Sequence, residues 1–322
     1  MEQVSVSLVV PVRNEEDSLA ELFHGIDLQT LAPAEIVIVD GGSTDRTRAI
    51  VMKHTLSDPR VRLIETSGAT PGKGRNIGIA AAANDWIALT DAGTTIEPDW
   101  LERLVQRIAS EAETAVVYGN YDPIRNDLFE KIAALSYVAA KHTGEIRGRS
   151  TVSCLLHKKA WEKAGGFPDW RAAEDLAFME ALDMNGVVAA KAPAALVHWK
   201  LRPDLYSTFI KFVLYSKHNV WAGRQWDWHY GILKQYLLVV PFLVLAALHA
   251  WWWLLAIPLW MMARAAKRIV AHRGEIGLAP MFNPLIFFGV VGLIYCIDVA
   301  TFVGWVRALV GKDETNGDAA NN

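Results

Sequence analysis

The sequence predicts an α/β domain with a mostly parallel central sheet over about residues 1–205, followed by an α-helical membrane region. Three observations carry this. Short Val- and Ile-rich runs alternate with helical patterns over the first two hundred residues, as in a sheet covered by helices on both faces. Several of these runs end abruptly in an acidic residue and a small-residue turn. Beyond Arg202 the chain becomes aromatic-rich and then loses its charges.

In order, residues 4–12 read as a strand. Asn14 is placed to cap a helix, with Glu15, Glu16 and Asp17 in its first turn. Leu19, Leu22, Phe23 and Ile26 give that helix one apolar face. Residues 36–39 form a second strand ending at Asp40, and the turn Gly41-Gly42-Ser43-Thr44-Asp45 opens a helix near Arg46. Residues 61–64 form a third strand. Gly72-Lys73-Gly74-Arg75-Asn76 opens an alanine-rich helix to Ala83. The run Trp86-Ile87-Ala88-Leu89-Thr90 is a buried central strand leading into Asp91-Ala92-Gly93, and Pro98 starts a helix to Ile108. A strand at 116–119, a helix at 128–140, a strand at 151–157 and a helix at 158–164 follow. Gly165-Gly166 with Pro168 stops that last helix. A helix then runs from about Glu174 to Asn185-Gly186, and residues 187–198 hold strand segments interrupted by Pro193.

Residues 206–231 mix Phe, Tyr and Trp with Lys211, Lys217, His218 and Arg224, which suits a helix lying in a membrane interface; an ordinary surface helix is the alternative. Residues 236–263 carry no charge. At about 1.5 Å per residue this is long for one upright span and short for two. Arg264, Lys267, Arg268 and Arg273 follow, and positive loops stay in the cytoplasm. With a cytoplasmic N-terminal domain, two crossings must precede them. A tight hairpin turning at Trp251-Trp252-Trp253 is favoured over a single tilted helix. The expected spans are about 232–248, 250–266 and 284–307, with a polar tail at 311–322 holding Asp313 and Glu314. Asp298 is costly in lipid and should face protein or a boundary.

The 322 residues allow more than one region, and the 52% hydrophobic content is concentrated late in the chain, with tryptophan crowding into the last third. A net charge of −3 gives no reason to expect nucleic acid as a partner. Cys154 and Cys296 suggest neither a disulfide framework nor a zinc site. The start of the chain has no basic segment before its apolar run, so no signal peptide is expected and the N-terminal region should be cytoplasmic.

Ligands of open α/β sheets bind beyond the carboxyl ends of the strands. Three such ends converge: Pro11-Val12-Arg13-Asn14-Glu15, Asp40-Gly41-Gly42-Ser43, and Thr90-Asp91-Ala92. Helix N-termini beside small residues offer N–H groups to phosphate. Asp40 suits a base edge or a ribose hydroxyl, Asp91 a hard divalent cation shared with phosphate, and Lys73 and Arg75 could neutralise phosphate.

In combination and order these segments resemble the family-2 glycosyltransferases of GT-A fold. The resemblance rests on Val9-Val10-Pro11-Val12-Arg13-Asn14-Glu15-Glu16, Ile38-Val39-Asp40-Gly41-Gly42-Ser43-Thr44-Asp45-Arg46-Thr47, Gly74-Arg75-Asn76-Ile77-Gly78, Thr90-Asp91-Ala92-Gly93, Gly165-Gly166-Phe167 and Glu174-Asp175, across about two hundred residues. It implies a nucleotide-sugar donor, with UDP the nucleotide expected on family grounds, and a divalent metal, Mg²⁺ or Mn²⁺. The first motif and Asp40 would hold base and ribose, and Asp91 metal and diphosphate. Asp175 would be the general base, with Glu174 beside it. A base on the acceptor face implies a single displacement with inversion. The hydrophobic C-terminal region makes a lipid or lipid-linked saccharide the expected acceptor, in assembly of an envelope polysaccharide or glycolipid.

Two departures bear on this. The family often carries a second Asp where Gly93 stands, so metal would rest on Asp91, phosphates and water, with His198 as a further candidate. No clear copy of the basic-aromatic motif of processive members is found near residues 211–221, which argues against a polysaccharide synthase. Two rival readings stand: a polyprenyl-phosphate glycosyltransferase, and an inert nucleotide-binding membrane scaffold.

Overall fold

The computed structural model describes residues 4–110, 113–141 and 145–311. The polar tail with Asp313 and Glu314 lies outside them. The described residues divide into two compact units, one of residues 4–110, 113–122 and 145–200, the other of residues 123–141 and 201–311. Residues 123–141 group with the helical unit although in sequence they lie between the segments that make up the first unit.

The first unit contains β1 (Val6–Val12), α1 (Leu19–Asp27), β2 (Glu35–Asp40), α2 (Thr47–Ser57), β3 (Val61–Glu65), α3 (Pro71–Ala81), β4 (Trp86–Leu89), β5 (Thr94–Ile96), α4 (Trp100–Ser110) and β6 (Val116–Pro123). After α5 (Leu128–Tyr137), which belongs to the second unit, it resumes with β7 (Cys154–His157), α6 (Lys158–Ala164), α7 (Glu174–Met184) and β8 (Ala189–Trp199). The eight strands form one sheet in the order β3-β2-β1-β4-β7-β6-β8-β5. The sheet is mixed. Its first four strands are parallel, while the β4–β7, β6–β7 and β5–β8 pairs are antiparallel.

Alternation explains why the first strands carry almost no polar residues. Leu8, Val10, Ile36 and Ile38 pack into one layer with Leu19, Leu22 and Phe23 of α1 and Leu104 of α4. Val9, Val37, Val39, Ile87 and Leu89 fill the opposite layer with Ile79 of α3 and Phe178 of α7. Both faces are covered, so the loops at the carboxyl ends of the parallel half rise from a packed sheet.

Three local expectations change. Asn14 caps no helix: α1 begins at Leu19, and Asn14 sits at φ 55 with its side chain turned to Thr44. The stretch 94–96 is a strand, because it pairs with Trp199, His198 and Val197. Pro193 does not interrupt β8, whose ladder with β5 uses only residues 197–199; its carbonyl instead accepts a hydrogen bond from Asn120.

The helical unit comprises α5, α8 (Leu205–Trp221), α9 (Gln225–Leu237), α10 (Val240–Leu248), a 3₁₀ turn (Trp251–Leu255), α11 (Ala256–Ala271), the single turns α12 (Arg273–Ile276) and α13 (Ala279–Phe282), and α14 (Pro284–Val310). The expected interfacial segment is two helices, broken at Gly223 with φ 73. α8 packs along α14, where Gly304 lets the backbones approach and Ser216 donates to the Thr301 carbonyl at 2.6 Å.

Among the described residues two helices are long and apolar enough to cross a membrane, Gln225–Leu248 and Pro284–Val310. The apolar window of the first is not buried at all, so its surface suits lipid. α11 is cut short as an apolar span by Arg264, Lys267 and Arg268. Asp298 is buried on α14 and faces protein, as its cost in lipid requires. Arg264 of α11 grips both its carboxylate oxygens, and the Tyr236 hydroxyl donates to one of them at 2.9 Å. Arg264 also lies against the Trp260 and Tyr236 rings. α9 and α11 thus both meet α14 at Asp298, with Trp251–Leu255 between them in sequence.

Candidate functional site

The carboxyl ends of β2, β1 and β4 are neighbours in the sheet, so their loops share one edge. The loops after β1 and β2 are joined by hydrogen bonds. Gly41 N–H donates to Val12, Asn14 N–H to Ser43 Oγ, and Thr44 N–H to Asn14 Oδ1. Glu15 N–H donates to Thr47 Oγ1 at 2.7 Å, and Glu16 accepts from Arg46. Gly42, at φ 91, makes the turn that a side chain would strain. Asp40 is buried, and its carboxylate accepts from Ser43 N and Oγ. Asp40 thus shapes its own loop. Pro11 packs against Gly74 at the start of α3, so the end of β1 rests on that helix.

α3 begins with Thr70 as its cap, accepting from Lys73 N–H, and Pro71 at its first position. It buries Arg75. The guanidinium donates to Asp91 Oδ1 at 2.7 Å and to Glu174 Oε1 at 2.9 Å, with only 4% of its side chain exposed. Burial opposes the Arg75 charge, yet Asp91 and Glu174 outweigh it and raise its pKa. Burial pushes the Glu174 carboxyl up, against the pull of Arg75. Arg75 is therefore engaged by two carboxylates. Lys73 stays near the surface, 3.9 Å from Asp169.

Asp91 is 44% exposed. Its second oxygen is engaged by no described residue. Thr90 is buried and bonded to Thr94, and Ala92 is buried, so these two shape the turn that presents Asp91. Glu174 and Asp175 open α7. Their cap, Ala173, stands at φ 64, a conformation costly for a residue with a Cβ. This turn sends Glu174 inward to Arg75 and leaves Asp175 accessible, with its Oδ1 accepting from Leu176 N–H at 2.8 Å.

Among the described residues no group of three His, Cys, Asp or Glu side chains could hold a metal. His198 is turned to Glu97, its Nε2 2.5 Å from Oε1. A magnesium-like ion keeps several waters and is held by one or two carboxylates with substrate phosphates, so the free oxygen of Asp91 meets the minimum. At Gly93 an added Cβ would meet nothing within 4 Å, and the φ is ordinary. Packing therefore does not exclude the missing carboxylate. Gly93→Asp is expected to fold like the parent and to bind Mn²⁺ about tenfold or more tightly, as a second hard oxygen ligand should. Calorimetry with Mn²⁺ alone checks this, and unchanged affinity would show that the turn directs position 93 away from Asp91.

Residue types alone did not mark two neighbours of the acidic pair. Tyr121 of β6 has its pKa raised first by burial, with Arg147 opposing and Asp175 adding to the rise, which places it near the proposed base. Arg171 precedes the pair in the same loop. Neither stands in a motif, so only the tertiary fold reveals them.

The mixed sheet, with small-residue and acidic loops at the ends of its parallel half and an acidic pair opening a later helix, defines a nucleotide-diphosphosugar transferase fold of GT-A type. The family profile "Glycosyl transferase family 2" matches residues 7–161 and "Glycosyl transferase family group 2" matches residues 86–306. The second covers more than half of the chain, and the protein belongs to this family of glycosyltransferases.

Among curated relatives, succinoglycan biosynthesis protein ExoO of Rhizobium meliloti is 37% identical over 123 residues, 38% of this chain and 34% of that protein. ExoA of the same organism is 33% identical over 176 residues, 50% of this chain and 52% of that protein. The chain thus spans a third to a half of the length of these relatives. Among solved structures, the mannosyltransferase PcManGT of Pyrobaculum calidifontis, in complex with GDP-Man and Mn²⁺, superposes with a TM-score of 0.57 at 19% identity, over 97% of this chain and 89% of that one. S. aureus TarS 1–349 in complex with UDP-GlcNAc gives 0.50 at 15% identity, over 93% and 91%. At these identities the structures bear on fold alone.

Proposed function

We propose that the protein is an inverting glycosyltransferase that moves one sugar from a nucleotide donor to a hydroxyl of a membrane-associated acceptor, a lipid or lipid-linked saccharide. The observation that carries this reading is Arg75, which ties the carboxylate of the donor edge, Asp91, to the acidic pair of the acceptor side, Glu174-Asp175. The loops of β1 and β2, with Pro11, Arg13, Asn14, Glu15, Asp40, Gly42 and Ser43, hold base and ribose. Asp91 is the residue that would hold a divalent ion, Mg²⁺ or Mn²⁺, together with donor phosphates. Such an ion neutralises charge on the diphosphate.

A sugar hydroxyl is a poor nucleophile. Asp175 takes its proton as the oxygen attacks the anomeric carbon from the face opposite the diphosphate. The bond from that carbon to the phosphate oxygen breaks, and its electron pair leaves with the nucleoside diphosphate. Glu174 does not touch the acceptor in this scheme. Held by Arg75, it fixes the first turn of α7 and so the place of Asp175.

The helical unit supports a membrane-associated acceptor and a cytoplasmic α/β unit. α9–α10 and α14 span, and α11 returns beside them. The Trp251–Leu255 turn lies at the far interface, and Arg268 and Arg273 lie on the cytoplasmic side. One experiment tests activity and sidedness together. Inside-out membrane vesicles carrying the protein should turn over one added donor from a UDP-, GDP- and dTDP-sugar panel, and sealed right-side-out vesicles should do so only after permeabilisation. Turnover should fall at least about a hundredfold in Asp91→Ala, the scale of one transition-state electrostatic contact. Activity in intact right-side-out vesicles would overturn the topology, and no turnover of any donor with a full lipid-extract acceptor screen would overturn the enzyme.

A further inference from the structure

Position 93 lacks a carboxylate, and it has a cation across from it. β5 and β8 are antiparallel, with Thr94 opposite Trp199. Lys200 N–H donates to the Gly93 carbonyl at 3.4 Å, which carries the ladder one residue further and sets Lys200 opposite Gly93. Opposed residues of an antiparallel pair carry their side chains on the same face, with Cβ atoms about 5 Å apart. Lys200 therefore leaves β8 on the face where a side chain at 93 would stand, and a Cβ at 93 would meet nothing within 4 Å. The turn that bears Asp91 is tied to the same strand end: Thr94 N–H and Oγ1 both donate to the Asp91 carbonyl, at 3.2 and 2.7 Å. Lys200 is thus held by backbone at the turn that presents Asp91.

Lys200 is exposed, and its side chain makes no hydrogen bond or ion pair with any described residue. The acids beside it on the β5–β8 ribbon are engaged elsewhere: Glu21 accepts from Thr95 Oγ1, and Glu97 pairs with His198. Asp91 does not close on it either. One Asp91 oxygen is taken by Arg75, and the residue is 44% exposed. The other cations near this edge are placed differently: Arg75 is buried between Asp91 and Glu174, and Lys73 faces Asp169. An exposed carboxylate and an exposed ammonium held at one turn without joining leave a gap between them. A diphosphate suits that gap in charge. Its oxygens take the ammonium directly and reach the carboxylate through a divalent ion.

We propose that Lys200 binds the diphosphate of the nucleotide donor and stabilises the negative charge left on it when the sugar departs. The inference rests on the proposed nucleotide-sugar reading. It adds a cation that holds the leaving group with or without a divalent ion, which suits a turn where Gly93 supplies no carboxylate beside Asp91.

The test is calorimetric titration of the full-length protein in detergent with UDP and GDP, and with uridine and guanosine, in EDTA and in Mn²⁺. The parent should bind its preferred diphosphate more tightly than the matching nucleoside in EDTA as well as in Mn²⁺. Lys200→Met should weaken that diphosphate about tenfold or more in EDTA, the loss of one charge-assisted contact, and leave the nucleoside unchanged. Lys200→Arg, which keeps the charge, should recover part of the loss. Equal diphosphate affinity in Lys200→Met and the parent overturns the proposal while leaving the donor reading intact. Parallel loss of nucleoside and diphosphate assigns Lys200 to the folding of the strand end and also overturns it. So does a parent that favours diphosphate over nucleoside only with Mn²⁺. A parent that binds no nucleotide in either condition overturns both readings.

Discussion

Arg75→Met should lower the stability of the protein by about 3–5 kcal/mol, the usual cost of removing one partner from a buried ion pair. Methionine roughly fills the space but leaves Glu174, with 9% of its side chain exposed, as a carboxylate without its cation. Asp91 is 44% exposed and can turn to water, so most of the loss falls on Glu174. Arg75→Met/Glu174→Gln should therefore be more stable than Arg75→Met alone. The coupling has a pH signature. Burial raises the folded-state pKa of Glu174 above its ordinary value of 4.5. A raised folded pKa means that the folded state holds the proton more tightly than the unfolded one. Its stability contribution is present below pH 4.5 and is lost as pH rises through the folded value. Without Arg75 to offset that loss, the gap in apparent Tm between variant and parent should widen as pH rises from 4.5. Thermal unfolding of the full chain in detergent across pH reads both effects. A gap that is constant with pH would mean that Arg75 acts by packing and not by its charge.

The part of this arrangement that was legible in the sequence is the part set by local pattern. Alternation in β1 and β2, the turn after Asp40 and the glycine stop at Gly165 all act within a few residues, and each stands where the sequence puts it. The acidic residue at the end of β4 was also legible, since a both-faces-buried strand can place a charge only beyond its end. What stayed hidden was which charges meet. Arg75 reaches Asp91 across 16 residues and Glu174 across 99, and no local rule distinguishes a phosphate-binding arginine from one closed between carboxylates. His198 was hidden for the same reason: its partner, Glu97, comes from the segment after β5, a three-residue strand too short to show a period. Asp298 was legible as a problem but not as a solution. Its cost in lipid demands a partner, and only the packing of α11 on α14 names Arg264.

Asp175→Asn should lower kcat by about 10²–10⁴ with little change in donor affinity, the range expected for a general base in a proton-coupled step. The substitution keeps size and shape. The Leu176 N–H that now donates to Oδ1 still finds an oxygen in the amide, so the turn of α7 should hold. Arg75 and Glu174 are untouched, which separates this variant from Arg75→Met: the thermal transition should stay with the parent while turnover falls. The size of the fall also reports the acceptor. A hydroxyl must lose a proton as it attacks and needs the base. A phosphate acceptor is already ionised and does not, so Asp175→Asn would then retain most of its activity, and the reaction would be transfer to a lipid phosphate. Assays of donor consumption with membrane lipid extract distinguish the cases, since the unchanged donor site holds the first half of the reaction constant. Loss of turnover with an unchanged transition places the chemistry at the half-buried member of the acidic pair, Asp175, and leaves the buried member, Glu174, its role under Arg75.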